Sequence, residues 1–534
     1  MKKHLLPWLA CLLVVALLLV GCAKDTDNDD EKTGTAGEPQ YGGTLVAVKE
    51  TFPAVVGFPP EMSATDKACV LPAVETLLVY SDQSGTLTGI LAEDWEEDPE
   101  NNQITFYLRK GIKFHDGTPF NAEAAKWNFD LGIKRETLTD YKNIEKIEVV
   151  DEYTLRIHTK QHNIRCLPTW GTSLVMISPS AFEEAAGGDI FEGDGDIEKG
   201  AEWARNNLVA TGPYKLVEFK RDDILRFEPF EDYWREGPYL DEWIIRFIPD
   251  IMTAQAMMKS GDAQMIMELT DVDVIAEFNE SSDYVVNEGP GQMWCLHPDS
   301  SNPNSPLADK RIREAIEYAI DKKAIADMVG RGLFEPLTQM APKAWTAGYV
   351  EGLDLRPYNP EKAKQLMAEA GYNGEEIILF TREGDTPKDT LVAIQGYLQD
   401  VGFNVKLDIS DRARYIEAIF REGWDGLAFC SSGLVGFETN FTDHYGHEPL
   451  TFKSGNTAKP AELLEVSKKI VSTYDLEERA ALLKEAIKIM AEDCTYIPIY
   501  RIPLACAMTK NVHCDYMKVH GNFWPNPNEV WMEQ

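Results

Sequence analysis

The chain has 534 residues, with 88 Asp and Glu against 52 Lys and Arg, a formal net charge of −36. That length exceeds what one hydrophobic core usually serves, and 44% hydrophobic with 10% aromatic residues excludes global disorder. The acid excess excludes a nucleic-acid partner and a basic membrane-surface patch, because both need clustered Lys and Arg.

The N-terminus opens with Lys2 and Lys3, then an apolar run from Leu5 to Val20 interrupted by Pro7. The run is short for a bilayer-spanning helix and fits a secretory signal over residues 1–21. It ends in Leu19-Val20-Gly21-Cys22, which resembles a bacterial lipobox. The resemblance implies cleavage after Gly21 and lipidation of Cys22. Residues 23–40 hold six acids and no large apolar side chain, so 22–40 reads as a lipidated acidic tether. Seven further cysteines follow, at 69, 166, 295, 430, 494, 506 and 514, with no CxxC and no zinc-module spacing.

The body starts near Tyr41. Thr44 to Val48 reads as a strand after Gly42-Gly43, and Gln103–Leu108 alternates as a half-buried strand. Ile147–Val150 and Thr154–Ile157 flank an Asp-Glu turn and predict a hairpin. Asn121 predicts an N-cap for a helix through Trp127 and Phe129. Ile312, Ala315, Ile316, Ala319 and Ile320 recur at helical spacing. Asn359-Pro360 predicts a helix start and Gly371 its stop. Strands at 377–380, 404–409 and 426–429 alternate with helices at 390–399 and 413–422, which predicts a βαβ sheet. One long amphipathic helix is expected over 461–490.

Several phrases carry a resemblance over the whole body. They are Leu91-Ala92-Glu93-Asp94-Trp95, Phe106 to Gly111 with Lys113-Phe114-His115-Asp116-Gly117-Thr118-Pro119-Phe120, Thr211-Gly212-Pro213-Tyr214 and Tyr233-Trp234. The second half adds Arg311-Ile312-Arg313-Glu314-Ala315-Ile316 and Asn359-Pro360-Glu361-Lys362-Ala363 through Gly371-Tyr372. The chain resembles the family 5 extracellular solute-binding proteins of ABC importers, whose members carry peptides, nickel chelates, opines and some sugars. The resemblance implies an α/β, bilobal periplasmic-binding-protein-like fold of class II type, with two lobes joined by a two-strand hinge. Lobe I would hold 41–289 and 503–534, and lobe II 290–502. The implied role is a monomeric receptor, lipid-anchored on the outer face of the cell membrane through Cys22. It hands a small solute to membrane permease subunits and has no cofactor and no catalytic residue. His115 and Asp116 form a tempting acid–base pair, but Asp before Gly117 already explains itself as a turn.

Ligands of that family lie between the lobes. Carried over, the resemblance offers Thr51 and Phe52 after the first strand, Gln292 and Trp294 where the chain enters lobe II, and Thr381, Arg382, Arg412, Ser431 and Ser432 at lobe II strand ends. Phe52 and Trp294 read equally well as core, and both arginines as solvated surface charge. Peptide-binding members place an Asp for the ligand's amine where this chain has Leu434 or Val435, and Glu438 substitutes only if that loop is rearranged. A metal-chelate receptor is the alternative, with His444 and His447 beside Asp443 and Glu448 as the candidate ligands. A secreted hydrolase is the alternative from another class, though no GxSxG, HExxH or phosphate loop is present. The resemblance also offers a disulfide between Cys295 and Cys430, set against two buried free thiols.

Overall fold

Strand β1 (Thr44–Lys49) sends Leu45 and Ala47 to one side of a sheet and Val46 and Val48 to the other. This computed structural model describes residues 37–81, 86–383, 388–433, 441–442, 444–447, 455–516 and 526–533. The expected signal, Cys22 and most of the tether lie outside them. Pro39–Gln534 form one compact unit.

A small antiparallel sheet follows β1: β2 (Ala92–Asp98), β3 (Gln103–Leu108), β4 (Ile144–Asp151) and β5 (Thr154–Thr159), in the order β2-β3-β5-β4. The expected hairpin is β4–β5, with Ile147 opposite Ile157. Asn121 caps the helix Ala122–Lys134 by accepting from the Ala124 amide. That helix buries Phe129 with Phe106, Leu155 and Trp170 in a core of its own.

The large sheet has eleven strands. Its remaining long members are β6 (Tyr214–Lys220), β7 (Ile224–Pro229), β8 (Glu242–Phe247), β9 (Met265–Leu269), β10 (Tyr284–Pro298), β11 (Glu376–Arg382), β12 (Asn404–Ser410), β13 (Leu427–Gly433) and β14 (Ile497–Thr509). The order is β12-β11-β13-β10-β14-β9-β1-β8-β7-β6, and a short strand at Glu335–Pro336 pairs with β14. Among the described residues, only β10 and β14 run through the whole middle, side by side and antiparallel. Their register shifts between Gly289 and Gln292, opposite Leu504 and Ile502. On one side of that crossing the core gathers around Leu45, Trp243 and Met267, and on the other around Leu296, Leu379 and Phe429.

The helix Pro360–Ala370 starts and stops as expected: Asn359 accepts from the Lys362 amide and Gly371 has φ +75°. The single helix expected over 461–490 is two, Ala461–Ser472 and Leu476–Asp493. Ser472 and Thr473 hydroxyls donate back to the Lys469 carbonyl, and Asp475 caps the second helix through the Glu478 amide. These local bonds end the first helix, and the apolar face resumes in a new phase on the second. The pair also meets the small-sheet segment: the Ile164 amide donates to the Val471 carbonyl at 3.1 Å, and the His162 ring meets Tyr474 edge-on.

Candidate functional site

Parallel strands leave a crevice at their carboxyl ends wherever the chain departs to both sides. The large sheet has two such points. Strand β1 pairs in parallel with β8, from Thr44↔Glu242 to Lys49↔Phe247, and with β9 through Ala47↔Met265. Strand β11 pairs in parallel with β12, ending at Arg382↔Ser410, and with β13 through Leu379↔Leu427. Strand β9 runs antiparallel to β14 and ends with Leu269 opposite Ala505. Strand β13 runs antiparallel to β10 and ends with Gly433 opposite Gln292. The carboxyl ends of both parallel sets therefore point at the crossing of β10 and β14.

Thr51 and Phe52 follow β1 at this edge. Thr51 is exposed, and its carbonyl faces the Cys69 thiol. Phe52 is half-buried, stacked 5.8 Å from Phe219 and tilted 5.5 Å from Phe247. Gln292 is exposed on β10. Trp294 is core: it is 2% exposed and packs 5.2 Å from Phe429. Its buried indole Nε1 has no acceptor among the described residues.

The second parallel set splits the remaining candidates between its two faces. Ser431 lies opposite Trp294, so the two side chains share a face. Thr381 shares it by strand alternation and donates to the Phe429 carbonyl at 2.9 Å. Arg382 is on the opposite face, its guanidinium 5.5 Å above the Tyr415 ring. Arg412 is exposed and begins the helix Arg412–Glu417, away from the strand end itself. Ser432 lies opposite Met293 in the pairing. Glu438, Leu434 and Val435 lie outside the described residues.

Cys295 and Cys430 are directly opposite one another, and no disulfide joins them in this structure. His447 is committed to Ser467, whose hydroxyl meets both its amide and its Nδ1, and His444 packs on Tyr445. Asp443 and Glu448 lie outside the described residues. Among the described residues no group of three or more His, Cys, Asp or Glu side chains is placed to hold a metal ion.

The motif phrases are scaffold. The Ala210 amide donates to His115 Nδ1, so Nε2 carries the proton and donates to the Gly212 carbonyl at 2.9 Å. Asp116 accepts from Ser178 and Thr118 hydroxyls. Tyr233 and Trp234 both donate to Glu75, whose carboxyl is pushed up by burial and pulled back by Arg235.

A cavity of about 620 Å³ opens instead at the amino end of β1, beside Thr44, Lys215 and Glu228. Three of its five acids are engaged: Asp232 with Lys113, Glu242 with Arg226, and Asp241 with the Gly43 amide. It lies at the far edge from the strand ends where a crevice forms.

The model for bacterial extracellular solute-binding proteins, family 5 Middle, matches residues 86–448. The chain belongs to that family. This solute-binding protein is 28% identical over 459 residues to the glutathione-binding protein GsiB of Shigella flexneri, covering 81% of this chain and 84% of that one. Its fold is similar to the periplasmic binding protein DppA of Helicobacter pylori in complex with the peptide STSA. The TM-score is 0.76 and identity 20%, over 93% of this chain and 99% of that one. It is equally similar to NikA of Brucella suis in complex with Fe(III)-EDTA, with TM-score 0.76 and 21% identity over 91% and 100%. The solute-binding protein is the extracytoplasmic receptor component of an ABC importer and not an enzyme. Such receptors deliver small solutes or peptides to a permease.

One feature of the site was missed from sequence. Lys49 ends β1 fully buried and ion-paired with Glu268 of β9. Its signal was the alternation Leu45, Ala47, Lys49, which puts a charge where an apolar side chain was due.

Proposed function

We propose that the protein is a lipid-anchored, monomeric receptor for a small peptide-like solute, held through Cys22 to the outer face of the membrane and closing about its ligand. Lobe I comprises 41–289 with 503–534, lobe II comprises 290–502, and the hinge lies where β10 and β14 cross. The observation that carries this reading is the convergence of both sets of strand ends on that crossing. A solute touching both sides stabilises the closed form by its preference for it. Thr51, Phe52, Gln292, Thr381, Arg382 and Ser431 supply the wall. Arg382 suits a carboxylate through its bidentate fork. A peptide-class cargo fits the relatives, one named for glutathione and one solved with a tetrapeptide.

The test has two arms. Mass spectrometry of the gently extracted protein identifies what it carries, and metabolic labelling with a fatty acid reports on Cys22. Small-angle scattering with and without that solute should show compaction. Identical profiles at saturation overturn the receptor mechanism.

A further inference from the structure

We infer that Glu268, fixed by Lys49, receives a cationic amine of the solute; this rests on the cleft proposed above and names the class of ligand it takes. A lysine is rarely fully buried unless paired. Lys49 has no exposed side-chain surface, whereas Glu268 keeps 26% of its own. The pair is thus open from one end only, the carboxylate end. Lys49 meets the carboxylate through Oε2. A carboxylate has about four acceptor positions, so the remainder stay available for a donor arriving from the open end.

The location matches the cleft. Lys49 is the last residue of β1, and Glu268 is the last but one of β9, its neighbour in the sheet. The next residue, Leu269, lies opposite Ala505, two positions from the crossing at Pro503. Cys69, whose thiol faces the Thr51 carbonyl, lies within electrostatic reach of both charges. Cys506 and Tyr516, both fully buried, lie within reach of Glu268. Such surroundings give the pair little water.

Stability does not account for it. Replacing a buried ion pair by apolar side chains is often neutral or stabilising. The pair instead holds one acidic group at a fixed point of the floor. Closing the lobes over a carboxylate without a donor leaves acceptors unmet, which disfavours ligands that lack one. The complement at Glu268 is therefore an ammonium group, a charge-assisted donor.

The experiment offers the purified full-length protein a casein hydrolysate supplemented with glutathione, alongside the same mixture acetylated on its amines. Native mass spectrometry reads what is retained, and calorimetric titration measures the tightest component. The variants are Glu268→Gln and the double Lys49→Met/Glu268→Gln, which leaves no unpaired buried charge if the single variant folds poorly. The wild type should retain free-amine components and not their acetylated forms. Both variants should bind the free-amine component at least about tenfold more weakly. Unchanged affinity in the folded variants overturns the assignment, as does equal weakening for free and acetylated forms. Wild-type retention of both forms alike overturns it and leaves the receptor reading standing. Retention of nothing from either mixture overturns both.

Discussion

Cys295 on β10 and Cys430 on β13 stand directly opposite each other, both with 0% exposure. Residues paired in this way have Cα atoms about 4.5–5.5 Å apart, inside the ~4.4–6.8 Å that a disulfide needs. The Cys295 thiol lies 3.3 Å from His297 Nε2. Mild oxidation should therefore join the two without moving either strand. Intact mass should fall by two hydrogens, and peptide mapping should place the bridge at these positions. A bridge over so long a loop adds about 2–4 kcal/mol, read as a higher unfolding midpoint. Persistent free thiols under oxidant, with denatured controls reacting, would refute it.

His115 makes stability depend on acid. Burial pushes its imidazole down to about 4, against a smaller upward pull from the Gly212 carbonyl. Below its ordinary value near 6.5 the unfolded chain takes up a proton that the folded chain refuses. Its contribution is therefore complete above pH ~6.5 and is lost as pH falls toward 4. His115→Ala should cost about 2–3 kcal/mol at pH 7.5, through two lost hydrogen bonds and the edge contact with Phe230. It should also flatten the stability profile between pH 6.5 and 4, which urea titrations at several pH values measure.

Glu97 acts in the opposite sense. It lies on β2, and burial pushes its carboxyl up to about 7, only partly offset by Arg479 of the helix Leu476–Asp493. Its Oε1 is buried with no hydrogen-bond partner among the described residues. The unfolded chain ionises near 4.5 while the folded chain holds its proton, so stability falls as pH rises from about 4.5 to 7 and then levels. Glu97→Gln removes that cost. The variant should match the wild type at pH 4 and exceed it on the order of 1–3 kcal/mol at pH 8. A variant less stable at both values would show that the Arg479 contact outweighs burial.

How far these features were legible differs by element. Caps and stops are local, so Asn121, Asn359 and Gly371 gave their helices away. Strands β11 to β13 were visible as apolar runs between helices. The break at Thr473–Asp475 was hidden because apolar residues continue on both sides of it, Val466 and Ile470 before and Leu483 and Ile487 after, while side-chain bonds to backbone end the helix. Strands β10 and β14 were expected only as the two-strand hinge that the resemblance implied, because Gly289, Gly291 and Pro503 read as punctuation; only pairing between segments some 200 residues apart makes them continuous. The same long-range pairing placed Trp294 in the core and put Arg382 on the face opposite Ser431. No spacing rule reports that division.

Gly291 is the point where the crossing is tightest. It has φ +69°, and a Cβ there would stand 1.9 Å from the Ile502 carbonyl oxygen and 2.7 Å from Pro503 Cα. Both obstacles are backbone of the other crossing strand, so neither can rotate away. Gly371 is the comparison: φ is +75°, but a Cβ there meets nothing within 4 Å. Gly371→Ala should cost about 1 kcal/mol, the conformational term alone. Gly291→Ala carries that term plus a forced separation of β10 and β14, and should cost more than about 2 kcal/mol. It should also change how far scattering profiles contract when solute binds, since the strands pushed apart are those of the proposed hinge. Equal losses in the two variants, with closure unaltered, would mean that the close approach at Ile502 does not set the hinge.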